Sequence, residues 1–303
     1  MYKKIVRKVR NKVLRNTRQL PFLSTQAEIN YREAQKQHSK NLPAISDYER
    51  DLVNKLKVEG VAMTSLEALS IPYTEQMLQA AKTLMPKIPR SISKNNDEFV
   101  VHATPQQILE HQEIFLWGLE QRLINIIENY LGLPVAYHGA YFRRDLINKV
   151  QLKSRLWHID SEDIKVLKVI IYLNDIDDQI GPFEYIPQCF TSQLTSSLKY
   201  TYGYVQDETV KKVISPSHFK SCTGIAGTVF LAATGSIFHR GKVPLLSDRY
   251  TIFFDYTSRK PIIHHDYNAS FLSEQDLQFL AKNLSPQQRE YVFWKENFWY
   301  SNR

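Results

Sequence analysis

The sequence predicts a mainly β core with helices packed on its flanks. Three observations carry this. Between Pro134 and about Arg259, short runs rich in β-branched and aromatic residues alternate with Gly, Pro, Asn and Asp turns. Helically periodic segments opened by capping residues stand on both sides. A chain of 303 residues with 43% hydrophobic and 23% charged residues is long and apolar enough for a well-buried core, which excludes disorder and a miniprotein.

The chain opens on a basic arm. Lys3, Lys4, Arg7, Lys8, Arg10, Lys12, Arg15 and Arg18 precede the first acid, Glu28; removing these 8 from 39 cations leaves 31 against 31 acids. The net charge of +8 therefore belongs to the arm, and the body is neutral. Val6, Val9 and Val13, with Ile5 and Leu14 beside them, recur at helical spacing opposite the cations, a pattern suited to an anionic membrane surface. A solvated tail is the plainer reading, and a nucleic-acid role is disfavoured. Residues 19–45 read as a polar linker, giving a division into 1–45 and 46–303. No run reaches the roughly 18 apolar residues of a bilayer span, and residues 1–20 lack the apolar core expected of a secretory signal. Cys189 and Cys222 form no CxxC pair. The expected location is cytoplasmic, with peripheral membrane contact through residues 1–18.

Ser46 and Glu49 form a capping box for a helix bearing Leu52, Val53 and Leu56 that stops at Gly60. A second helix is predicted over Thr74–Leu84. Thr104-Pro105-Gln106-Gln107 opens a third, expected to run unbroken from Ile108 to Leu131 and stop at Gly132. The strands follow as Val135–Phe142, Val166–Leu173, Phe183–Ile186, Thr228–Ala232 and Arg249–Tyr256. Helices return near Ser273–Asn283 and Ser285–Phe298, where Trp294 and Phe298 share a face suited to core packing or a dimer contact.

The chemistry centres on Leu156-Trp157-His158-Ile159-Asp160. In an extended segment residues two apart share a face, so His158 and Asp160 would lie side by side. With His239, at the end of the run Gly227–Gly241, they would make a two-His, one-carboxylate triad, the set that holds non-haem Fe(II) with three positions open. A second His-x-Asp pair, His264 and Asp266, is followed only by His265 and lacks a distal partner.

The runs HIDSEDIKVLKVIIYLNDIDDQIGPFEYIPQ, GTVFLAATGSIFHRG and SDRYTIFFDY together resemble the phytanoyl-CoA dioxygenase-like Fe(II)/2-oxoglutarate oxygenases, over about Tyr137–Arg259. The resemblance implies a double-stranded β-helix, the jelly-roll or cupin-like barrel, as an oxygenase domain spanning 46–303 with its β core at about 134–259. It implies His158, Asp160 and His239 as iron ligands, with Arg249 on the distal carboxylate of 2-oxoglutarate. Thr251, two residues on and so on the same strand face, would donate a second hydrogen bond, while Arg240 should point away. The implied reaction consumes O2 and 2-oxoglutarate and hydroxylates a small-molecule or lipid-like substrate, releasing succinate and CO2. Asp160 argues against a halogenase. Gln188-Cys189-Phe190 departs from the family's Gly-Ser-His-like turn, which places the change in the substrate-side loop. Tyr200, Tyr202 and Tyr204, with Lys211, Lys212, His218 and Lys220, lie in a long irregular insert that reads either as a substrate-contact region or as an ordinary aromatic-packed surface loop. The competing expectation is a non-catalytic, cupin-like binding protein attached to an anionic surface by its arm. Oligomeric state is not readable.

Overall fold

The strands are β1 (Val61–Ser65), β2 (Val100–His102), β3 (Val135–Asp145), β4 (Leu167–Tyr172), β5 (Phe183–Tyr185), β6 (Lys220–Cys222), β7 (Thr228–Ala232), β8 (His239–Gly241) and β9 (Arg249–Ser258). This computed structural model describes residues 21–90, 98–259 and 272–294. The basic arm, His264, Asp266 and Phe298 lie outside the described residues. All pairings are antiparallel: one sheet runs β1-β7-β4-β9-β3-β2 and the other β6-β5-β8. Among the described residues these are two facing sheets and no closed barrel.

Alternation along the strands sorts the large sheet into two faces. Leu167, Val169 and Ile171 of β4, with Ile252, Phe254 and Tyr256 of β9, pack on the helices. Ile170 and Tyr172 of β4 turn the other way, with Phe230, onto Phe183 and Tyr185 of the small sheet. The second face therefore carries the candidate site positions: Tyr141, Arg143 and Asp145 of β3 pair with Phe253, Thr251 and Arg249 of β9.

The capping boxes at Ser46, Thr104, Ser273 and Ser285 form as expected. Helices Asp47–Glu59 and Thr74–Leu84 match their predicted spans, and Gly60 ends the first in the left-handed region at φ 88°. Four features differ. The expected long helix is three helices, Pro105–Glu110, Gln112–Trp117 and Gln121–Leu131. It breaks at His111, whose Nδ1 bonds the Gln107 carbonyl, and again at Gly118. Buried tyrosine hydroxyls drive the second break: Tyr137 donates to the Phe115 carbonyl at 2.9 Å and Tyr256 to the Gly118 carbonyl at 2.7 Å. Side chains from the sheet thus satisfy the helix end.

The segment read as a linker is helical over Pro21–His38. It is ordered by distant contacts, since Gln35 donates to the Leu131 carbonyl and His38 meets Glu128 at 2.7 Å. Strands β1 and β2 join the sheet from upstream of Pro134, so the β core is not confined to 134–259. Five and three residues long, they are too short for a periodic signal. The insert is likewise not irregular: Gln188–Phe190 forms a short 3-10 turn leading into helix Thr191–Ser197, and Asp207–Lys211 is a second helix. Leu194, Val210 and Ile214 pack there against Trp157, Ile186 and Phe238. Trp294 is buried with its ring edge-on to His138. No helix among the described residues is long and apolar enough to cross a membrane.

A Cβ at Gly118 would lie 2.5 Å from the Tyr137 hydroxyl and 2.6 Å from Phe254 Cδ1. Gly118→Ala is expected to lower unfolding stability by about 1–3 kcal/mol through overpacking, read as a fall in the urea midpoint at unchanged m-value.

Candidate metal centre and its cationic cavity

His158 and His239 are joined by their backbones. Each donates its N–H to the other's carbonyl, at 3.1 and 3.0 Å, an antiparallel bridge linking the His158 segment to β8. The Asp160 N–H donates to Thr234 at 3.0 Å, so the His-x-Asp pair lies in an extended segment pinned to the strand–turn–strand run that carries His239. The two imidazoles come within 4.2 Å, centroid to centroid.

Both rings are turned by the same local device. His158 Nδ1 bonds the Leu156 carbonyl at 2.8 Å and His239 Nδ1 the Ile237 carbonyl at 3.2 Å, each two residues back. A carbonyl accepts only, so Nδ1 carries the proton and Nε2 keeps its lone pair. His158 Nε2 lies 3.7 Å from Asp160 Oδ1, and His239 Nε2 lies 3.8 Å from Asp160 Oδ2. The three ligand atoms all fall within 4.8 Å of one another. Burial lowers the pKa of both histidines; His239, which also faces His158, drops to about 3. Neutral imidazole is the form that coordinates a metal. Two nitrogens and one carboxylate are the donor set of a facial triad, and these residues fit a divalent cation.

Lys168 of β4 adds a cation beside the triad, its Nζ 2.7 Å from Asp160 Oδ2. Burial alone would raise the Asp160 pKa, but Lys168 and the two histidines hold it below the usual carboxylate range. Two further acids behave differently. Burial, with Asp160 adding to it, raises Glu162 to about 7; burial raises Asp255 to about 6 against the pull of Lys168. Asp255 stands directly opposite Lys168 in the β4–β9 register. Sequence reasoning missed both Lys168 and this partner, although a lysine inside a strand of valine, isoleucine and leucine was a visible signal.

A cavity extends from the histidines along the large sheet. Arg143, Lys168, Arg249 and Thr251 line it with His158 and His239, and Ile170, Tyr172, Phe183 and Phe253 form apolar walls. Arg249 is buried; its Nη2 lies 3.1 Å from Asp145 Oδ2, and Nη1 donates to the Gly181 carbonyl. Arg143 holds the same carboxylate from its own strand, with Nε 2.9 Å from Oδ2. Thr251 is fully buried and its Oγ1 has no hydrogen-bond partner. A buried hydroxyl without a partner beside a buried guanidinium is what a bound carboxylate would complete. The expected pair Arg249 and Thr251 is therefore brought together with the histidines; the Asp145 counter-ion was not read from the sequence.

Arg240 points away from the cavity, as expected. Its Nε bonds Glu184 and its Nη1 Asp207, both at 2.8 Å, while its guanidinium stacks over Trp157. Of the insert tyrosines, Tyr204 reaches the site, its ring edge-on to His158 at 5.1 Å. Tyr200 is structural: its hydroxyl accepts from the Ile159 N–H and donates to the Gly203 carbonyl. Cys189 is exposed and Cys222 buried, both free.

No protein-family model matches the chain, and no curated protein does. Solved structures similar to it include HygX from Streptomyces hygroscopicus with nickel and 2-oxoglutarate bound, 12% identical over 71% of this chain and 88% of that one, with a TM-score of 0.48. The epimerase SnoN from nogalamycin biosynthesis, in complex with Fe3+, alpha ketoglutarate and nogalamycin RO, is 13% identical over 70% and 84%, with a TM-score of 0.47. EctD from S. alaskensis with 2-oxoglutarate and 5-hydroxyectoine is 17% identical over 72% and 77%, with a TM-score of 0.49. Likenesses this distant carry no argument about the reaction.

Burial works against the charge on Asp145, yet Arg143 and Arg249 hold its pKa well below the usual carboxylate range. A depressed folded-state pKa gives stability that is complete above the unfolded value, about 3.9, and is lost as pH falls toward the folded one. Asp145→Asn, leaving the buried Arg249 and the half-buried Arg143 without their anion, is expected to cost about 3–5 kcal/mol at pH 7. In denaturant titrations the gap from the parent protein should narrow only below about pH 4.

Proposed function

We propose that the chain is an Fe(II)- and 2-oxoglutarate-dependent oxygenase similar to the phytanoyl-CoA dioxygenase-like family, hydroxylating a small molecule. In this reading His158, Asp160 and His239 hold iron, Arg249 and Thr251 hold the distal carboxylate of 2-oxoglutarate, and the two facing sheets are the walls of a double-stranded β-helix within an oxygenase unit at 46–303. The observation that carries it is a cavity lined together by both histidines, Arg249 and the unpartnered Thr251 hydroxyl.

When bound, Fe(II) supplies the open positions at which 2-oxoglutarate and O2 are activated. The overall reaction balances as substrate C–H, 2-oxoglutarate and O2 giving substrate C–OH, succinate and CO2. The chain's own part is binding, orientation and exclusion of water. Carbonyl-anchored Nδ1–H groups aim both Nε2 lone pairs at one point. Arg249, held by Asp145, presents guanidinium N–H donors to a carboxylate at the buried end of the cavity, where a charge-assisted bond is strong. Phe183 stacks on His239 at 5.5 Å and Phe253 lines the cavity, keeping water from the space between metal and arginine. The substrate side is assigned to the insert, whose Tyr204 stands over His158.

Anaerobic protein loaded with Fe(II) and 2-oxoglutarate is expected to develop the visible charge-transfer absorption of the keto-acid chelate, and a His158→Ala/Asp160→Ala double variant to lack it. Thr251→Val keeps the shape and removes the hydroxyl. It should weaken 2-oxoglutarate by about 1 kcal/mol, roughly fivefold, while iron content holds. An absent band in the parent protein would refute the assignment.

The basic arm, outside the described residues, is proposed to give reversible contact with anionic membranes in a cytoplasmic protein. Eight cations at about 1 kcal/mol each near such a surface are ample for salt-sensitive attachment. Co-sedimentation with anionic liposomes at low and high salt should show binding that disappears at high salt and on deleting residues 1–18. Equal binding by the shortened chain would rule out the arm.

A further inference from the structure

We propose that Lys168 is a resident counter-ion of the metal site: its ammonium stands on Asp160 before a metal arrives, so that a divalent cation binds weakly alone and tightly only together with a dianion. The proposal rests on the reading of His158, Asp160 and His239 as metal ligands.

Three observations converge on it. Lys168 lies in β4, between β7 and β9, and its neighbours on the same face are Ile170 and Tyr172, which line the cavity with it. A lysine in such an interior strand costs stability unless an anion holds it. The anion is a triad carboxylate, with Nζ 2.7 Å from Asp160 Oδ2, while the histidine Nε2 atoms lie 3.7 and 3.8 Å from the same carboxylate's two oxygens. Any cation held by the three ligands would therefore stand within a few ångströms of a resident positive charge, in a largely buried place where screening is reduced.

The second observation is an alternative partner. Asp255 faces Lys168 directly across the β4–β9 register, and its buried Oδ1 has no hydrogen-bond partner. Cross-strand neighbours are within reach of a lysine side chain. A metal taking Asp160 leaves the ammonium a carboxylate to turn to, so the exchange does not strand a buried charge.

The third is the charge of the cavity as a whole. Arg143, Lys168 and Arg249 line it together, the buried Asp145 offsetting one of these cations and Asp160 another. A lone divalent cation adds two positive charges to this set; a divalent cation with a dicarboxylate adds none. Lys168 thus opposes the metal and favours the co-substrate, and because coupling between two ligands is reciprocal, each raises the affinity of the other. Lys168 is a positioning residue, acting through Asp160 and through the field at the site.

The test is titration of the purified full-length chain with Mn2+, followed by electron paramagnetic resonance of the free ion, with and without 2-oxoglutarate. The parent protein should bind Mn2+ weakly alone and at least tenfold more tightly with 2-oxoglutarate. Lys168→Met should bind Mn2+ alone at least tenfold more tightly than the parent and lose most of the 2-oxoglutarate effect, whereas Lys168→Arg, which keeps the charge, should behave as the parent. Circular dichroism checks folding, and Lys168→Gln takes the place of the methionine variant if that fails to fold. Unchanged or weaker Mn2+ binding by the folded neutral variant overturns the proposal. No Mn2+ binding by the parent overturns the metal-site reading itself, a distinct result.

Discussion

Asp145 carries a full negative charge with no exposure to solvent, and the functional face of the large sheet is organised around keeping it satisfied. Its partners are Arg143, two residues earlier on the same strand, and Arg249, directly opposite on β9. Because side chains alternate along a strand, a one-residue slip of β9 against β3 would turn Arg249 out of the interior and leave the carboxylate short of a counter-charge. The register is thereby enforced by an energy larger than any single strand hydrogen bond. The same register sets Thr251 beside Arg249 and Asp255 beside Lys168, so one ion cluster determines where the cationic cavity and its acidic far end fall along β9.

The geometry of the proposed metal ligands rests on a different device. His158 and His239 are far apart in the chain yet exchange backbone hydrogen bonds, and each ring is aimed by its own segment through the carbonyl two residues back. Ring orientation therefore needs no partner from a third segment. Burial makes both imidazoles neutral without the help of a metal, and the donor atoms already face one another. Little reorganisation remains for a metal to drive, apart from the ammonium on Asp160.

How much of this the sequence disclosed depended on the range of the interaction. The grouping of His158, Asp160, His239, Arg249 and Thr251 was legible because spacing by two in extended chain and order along the strands express themselves locally, and the resemblance named the first four in order. Capping boxes at Ser46 and Thr104 were legible for the same reason. The break at Gly118 was not, since its cause is the reach of the Tyr137 and Tyr256 hydroxyls from the sheet. Nor was the helix Pro21–His38, whose contacts at Gln35 and His38 lie about ninety residues away in sequence. The Asp145 counter-ion and the Lys168–Asp160 contact were invisible for a sharper reason: they exist only once strand neighbours are known.

The insert between β5 and β7 meets the site through its neighbours. Trp157, adjacent to His158, donates its indole N–H to Asp207 of the insert at 2.9 Å. Arg240, adjacent to His239, grips the same Asp207 and stacks on the same indole. One aspartate on the substrate-side segment is thus tied to the residue flanking each histidine. A lineage that rewrites this segment also pulls on the two backbones that aim the proposed ligands, so under the proposed function specificity and metal geometry would not be independently evolvable. Exchange of the insert between related chains would succeed only where the aspartate, the tryptophan and the arginine travel as a set.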